Sequence, residues 1–143
     1  MELTLVHKIY KDSDMAIETL KTLEGELKKY SEDMLEAVIH TRKGYERYKK
    51  KASDILKKEK LGLDKVGEVT KMMADTGVKR KIKHRHSQSG VASMLIKGLH
   101  MGVKDIDHEL DCLKDDVDKK SVELARDFLL FQKDNIAALK PYL

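Results

Sequence analysis

The chain has 143 residues, 41% hydrophobic, 38% charged and 5% aromatic, with one Pro and no Trp, a composition that suits one helical domain over residues 1–143 and excludes a mostly β fold. The net charge of +4 is local, because Lys79, Arg80, Lys81, Lys83 and Arg85 hold five fixed positive charges between residues 79 and 86 and the rest of the chain is close to neutral. No apolar run approaches the roughly 18 residues of a membrane span, the opening residues do not read as a signal peptide, and the lone Cys112 rules out an internal disulfide or a Cys-based zinc motif, so the expected location is the cytoplasm.

Val6, Ile9, Ser13, Ala16, Leu20, Leu23 and Leu27 recur at steps of three and four, which predicts a helix over about 3–29 with one apolar stripe. Ser31 followed by Glu32 and Asp33 has the chemistry of a helix start, a hydroxyl cap with acidic side chains at the positive end of the dipole. The next stripe, Met34, Val38, Thr41, Tyr45, Tyr48, Ala52 and Ile55, widened by Leu35 and Leu56, predicts a long helix over 31–60. The turn between these helices is too short for anything but antiparallel neighbours.

Leu61-Gly62-Leu63-Asp64 reads as a stop followed by a new cap, and Val66, Val69, Met72, Met73 and Thr76 mark a shorter helix running into the basic stretch. After the turn-rich 86–90, Val91, Met94, Leu95, Gly98, Met101, Gly102, Ile106, Leu110 and Leu113 predict a further helix. Asp115-Asp116 is the expected boundary before the last one, striped by Leu124, Phe128, Phe131 and Leu139 with Ala125, Leu129 and Ile136 beside them. A faint repeat at an offset of 86 residues aligns Met15-Ala16-Ile17 with Met101-Gly102-Val103, Ile9 with Leu95, Val38 with Leu124 and Tyr45 with Phe131, as in a duplicated hairpin. The connector 61–88, if helical, reaches roughly 40 Å at ~1.5 Å per residue, enough to return the chain to the end where the second helix began. The expected fold is therefore an all-α, ferritin-like four-helix bundle of two antiparallel hairpins, 3–60 and 89–140, joined by a helical crossover.

The segment Ser89-Gly90-Val91-Ala92-Ser93-Met94-Leu95-Ile96-Lys97-Gly98-Leu99-His100-Met101-Gly102-Val103, with Ile9-Tyr10 and Met15-Ala16-Ile17-Glu18-Thr19-Leu20, resembles a group of small, functionally uncharacterised, ferritin-like helical-bundle proteins of Firmicutes. The resemblance implies that fold and a bacterial cytoplasm, and no activity. Within it, Gly98-x-x-x-Gly102 leaves two bare backbone positions one turn apart, where a partner helix can approach closely. Lys97, His100 and Lys104 argue against a lipid setting for that motif, and close packing in a soluble core or across a homodimer is expected.

A ferritin-like di-metal site takes a carboxylate from each of two helices and a Glu-x-x-His pair from each of the other two. The sequence contains no Glu-x-x-His; its nearest elements are Glu18, Glu36 with His40, Asp105 with His108, and Glu123 with Asp127. These six, Glu18, Glu36, His40, Asp105, His108 and Glu123, are the candidate ligands for iron, manganese or zinc, against the plainer reading of solvated surface groups. His84-x-His86 offers a two-ligand chelate without a carboxylate. The basic residues Lys79, Arg80, Lys81, Lys83 and Arg85 can attract nucleic acid or another anion without sequence readout, since no aromatic residue interleaves with them. Nucleophilic and phosphate-loop motifs are missing. Tyr45 and Tyr48 are expected in the core with their hydroxyls on a polar partner. The leading functional reading is a non-enzymatic scaffold or interaction module that presents a helix face as a homodimer, ahead of a metal-binding carboxylate protein and a nonspecific anion binder.

Overall fold

Four of the apolar stripes wind into helices in the computed structural model of the chain, which describes residues 3–29, 31–59, 88–113 and 118–143. The helices are α1 (Thr4–Leu27), α2 (Glu32–Lys58), α3 (Gln88–Asp111) and α4 (Lys119–Leu139), followed by a single 3₁₀ turn over Lys140–Tyr142 that contains Pro141. Among the described residues there is no strand, and no helix is long and apolar enough to cross a membrane. The expected crossover helix and the Asp115-Asp116 boundary lie outside the described residues.

Local chemistry explains the helix ends. The Ser31 hydroxyl accepts from the Met34 backbone N–H at 3.2 Å, with Glu32 and Asp33 in the first turn and Lys57 and Lys58 in the last, each sign matched to its end of the dipole. α4 takes its cap from Asp118, whose Oδ1 accepts from the Lys120 N–H.

The polar contacts fix the helix directions. Arg42 meets Glu24 at 2.7 Å and Lys49 meets Asp14 at 2.8 Å, so α1 and α2 are antiparallel. Thr41 Oγ1 donates to Asn135 Oδ1 at 2.8 Å, and Tyr48 reaches the Asp127 carbonyl at 3.2 Å, so α4 is antiparallel to α2. Lys8 near the start of α1 pairs with Asp105 near the end of α3, and the cleft between them is lined by residues from Asp12 to Leu20 on one wall and Met94 to Asp105 on the other. α3 is thus antiparallel to α1 and runs in the same direction as α2, and the end of α2 and the start of α3 lie at opposite ends of the bundle.

Asp14 is 2% exposed, and the Lys49 ammonium lies over the Tyr10 ring at 5.7 Å. Burial lowers the Lys49 pKa, but the hydrogen bond and charge of Asp14 outweigh it, and the net shift is upward.

The core matches the α1, α2 and α4 stripes closely. Val6, Ile9, Leu20, Leu23, Leu27, Met34, Val38, Leu56, Leu124, Phe128 and Leu139 are all buried. The pairs joined by the 86-residue offset agree in burial at Ile9 and Leu95, Ile17 and Val103, and Val38 and Leu124. α3 departs from expectation. Its buried face is Val91, Ala92, Leu95, Leu99, Val103 and Ile106, whereas Gly98 and Met101 are exposed. From Val91 to Gly102 this helix is apolar on most sides, so periodicity leaves two neighbouring stripes open and packing selects between them.

The glycines meet the packing expectation in part. A Cβ on Gly98 would meet nothing within 4 Å, so this position makes no close contact with the other described residues. Gly102 is crowded, since its Cβ would overlap Gln132 Oε1. A second crowded glycine is Gly44, where a Cβ would run into the Phe131 ring. We expect Gly98→Ala and Gly25→Ala to stabilise the fold by roughly 0.5–1 kcal/mol, because alanine is the better helix former and both positions open onto free space. Gly44→Ala should destabilise by about 1–3 kcal/mol through overpacking; urea midpoints for the three variants test this ordering.

Candidate functional site

The two hairpins are joined by side-chain contacts along α2 and α4, and α1 and α3 line a cleft. On the α2–α4 side Phe131 lies against Gly44, Tyr45 stands edge-on to Phe128 and Phe131 at 5.8 and 5.0 Å, and Thr41 is joined to Asn135. On the other side a cleft of about 350 Å³ opens between the hairpins. Met15, Ala16, Thr19 and Leu20 form its α1 wall, and Met94, Leu95, Gly98, Leu99 and Met101 its α3 wall, with Val38, Thr41, Tyr45, Gln132 and Leu139 below. Asp12 and Asp105 lie at one end. The sequence repeat lines the cleft twice, as Met15-Ala16 on α1 and as Met101-Gly102 on α3.

The floor holds a small polar chain in apolar surroundings. The Tyr45 hydroxyl donates to Gln132 Oε1 at 3.0 Å, and burial, reinforced by the charge of Asp12, pushes the Tyr45 pKa up. Gln132 is 1% exposed, and its Nε2 has no hydrogen-bond partner. Asp12 Oδ2 is likewise buried without one. Each such group costs ~1–3 kcal/mol when it is left unsatisfied. A donor and an acceptor that no described residue answers therefore lie in the same cleft.

Burial pushes the Asp12 carboxyl up from 3.8 to about 6, with the Lys8 ammonium lowering it and the Asp105 carboxylate raising it. Between those two values the folded protein keeps a proton that the unfolded chain has released, so stability falls as pH rises through this window and stays lower above it. Asp12→Asn should flatten that dependence and raise the unfolding free energy near pH 7.5 by roughly 1–2 kcal/mol. Thermal melts of both proteins across the window would show the difference.

The six candidate metal ligands are not brought together. Glu36 is exposed on α2, and His40, also exposed, borders a separate groove on the α2–α4 face with Arg47, Tyr48 and Asp127. Glu18 is partly buried beside Lys49, whose positive charge it favours. Asp105 pairs with Lys8 at 3.6 Å, His108 is exposed and its Nε2 lies 3.7 Å from the Cys112 sulfur, and Glu123 is exposed on α4. Among the described residues no three His, Cys, Asp or Glu side chains are grouped to hold a metal ion. The basic residues Lys79, Arg80, Lys81, Lys83 and Arg85, the pair His84 and His86, and Met72 and Met73 lie outside the described residues. Tyr45 and Tyr48 meet expectation in part, since both hydroxyls find polar partners but only Tyr45 is fully buried.

Sequence reading passed over Asp12 and Gln132. A signal for the cleft was present in Asp12, Met15, Ala16 and Thr19, which recur at steps of three and four on a face of α1 next to the main stripe, just as Met94, Gly98, Met101 and Asp105 do on α3. No family profile, curated protein or solved structure matches the chain.

Proposed function

We propose that the protein is a non-enzymatic interaction module of the bacterial cytoplasm, a ferritin-like bundle that receives a small apolar guest in the cleft between its hairpins. The observation that carries this reading is the cleft itself. Its volume lies within the ~300–1,000 Å³ usual for small-molecule sites, and a mostly apolar lining with a few convergent polar groups is the usual composition of such sites. The unbranched side chains of Met15, Met94 and Met101 repack readily around different shapes, and the bare backbone at Gly98 leaves room for the guest. The shared direction of α2 and α3 supports the ferritin-like topology, in which a long crossover separates two antiparallel hairpins.

A neutral apolar fluorophore, N-phenylnaphthylamine, should bind with a blue shift and enhanced emission. Gly98→Phe, which fills the cleft, should weaken that binding at least about tenfold, a change of ~1.4 kcal/mol, while Gly25→Phe on the exposed side of α1 leaves it unchanged. Equal binding by all three proteins would remove the cleft as the site.

One observation favours a second reading, association of two copies. Met101 is 62% exposed and stands one helical turn from the open backbone of Gly98, so a knob and a hole adjoin on one helix face. An antiparallel pairing of two α3 helices about a twofold axis seats each Met101 over the other copy's Gly98, a self-complementary contact. Light scattering over a concentration series should show a dimer that Met101→Lys converts to a monomer; a monomer at every concentration would refute this pairing.

A further inference from the structure

We infer that the guest of this cleft carries one neutral hydroxyl head group, which donates a hydrogen bond to Asp12 and accepts one from Gln132, while its aliphatic or aromatic body lies among the methionines. The inference rests on the cleft's being the binding site and goes further by stating what the guest must present. Asp12 Oδ2 and Gln132 Nε2 both belong to residues that line the cleft, both are buried, and neither has a partner among the described residues. One is an acceptor and the other a donor. The amide oxygen of Gln132 is already engaged by Tyr45, which leaves Nε2 as the unanswered end of the amide. A hydroxyl is the smallest group that can answer both atoms, because it has one O–H to give and lone pairs to receive.

Other head groups meet only part of this demand. A carboxylate faces the like charges of Asp12 and Asp105 at the same end of the cleft, and the nearby ammonium of Lys8 is already paired with Asp105. An ammonium can pair with Asp12 but offers no acceptor to Gln132 Nε2, whose donor stays buried and unfilled. An ether oxygen accepts from Gln132 and gives nothing to Asp12. A hydrocarbon answers neither, so the preference for the hydroxyl reflects relief of two unmet hydrogen bonds together.

Displacement of N-phenylnaphthylamine from the full-length protein by n-octanol, octanoate, n-octylammonium and octyl methyl ether tests this. We expect n-octanol to bind about tenfold more tightly than each of the other three. Asp12→Ala and Gln132→Leu should each shrink that advantage to within about twofold, each ratio read against the variant's own fluorophore affinity. If the fluorophore binds in a manner sensitive to Gly98→Phe but the four competitors are equivalent, the head-group inference is wrong and the cleft reading stands. A preference for n-octylammonium or octanoate overturns it equally. If the fluorophore does not bind, or binds regardless of Gly98→Phe, both readings fail together. Should Gln132→Leu not fold, because Tyr45 loses its acceptor, the competitor series on the unaltered protein and Asp12→Ala still decide.

Discussion

The approach of Phe131 to the backbone of Gly44 is the contact on which the rest of the arrangement depends. With no Cβ at residue 44, an aromatic ring lies where any other side chain would hold the helices apart. That proximity brings Tyr45 within reach of Gln132 and Thr41 within reach of Asn135, and these bonds set the register of α2 against α4. Hydrogen bonds between buried side chains tolerate little sliding, so the two hairpins meet in one alignment along this edge.

The two hairpins also meet along α1 and α3. α1 and α3 form the walls of a cleft that small residues, Ala16 and Gly98 among them, keep open. Larger residues at these positions would close the gap and add buried apolar area. The chain instead leaves an opening, exposes Met101 beside it and holds a carboxyl and an amide at its base without partners. Lys49 with Asp14 and Arg42 with Glu24 and Glu46 are paired; of the four buried side-chain atoms without a partner among the described residues, Ser13 Oγ and Ser121 Oγ lie elsewhere and Asp12 Oδ2 and Gln132 Nε2 belong to residues that line this one cleft.

Much of the fold was legible in the residues. The stripes of α1, α2 and α4 found the core because a helix facing two or more neighbours repeats its apolar residues every three or four positions, and Ser31, Glu32 and Asp33 marked a helix start that rests on local hydrogen bonds alone. The stripe of α3 was misplaced by one step because that segment is apolar on most sides. The metal candidates were drawn from residue type and spacing along single helices. Convergence of ligands also requires the helices to be rotated toward a common axis, and Glu36, His40, His108 and Glu123 are instead turned outward to solvent.

What the sequence determined by itself is the set of local facts: helical periods, a serine cap, an expected pair of antiparallel hairpins and a faint repeat whose two copies, Met15-Ala16 and Met101-Gly102, turned out to line opposite walls of one cleft. Tertiary structure alone decided which glycines are close contacts, Gly44 and Gly102 rather than Gly98, and which polar groups lie buried without a partner among the described residues, Asp12 and Gln132 in the cleft among them. The physical reason is that local preference is written within one turn of helix, whereas burial, an unmet hydrogen bond and the room beside a bare backbone are properties of what another helix brings to the same place.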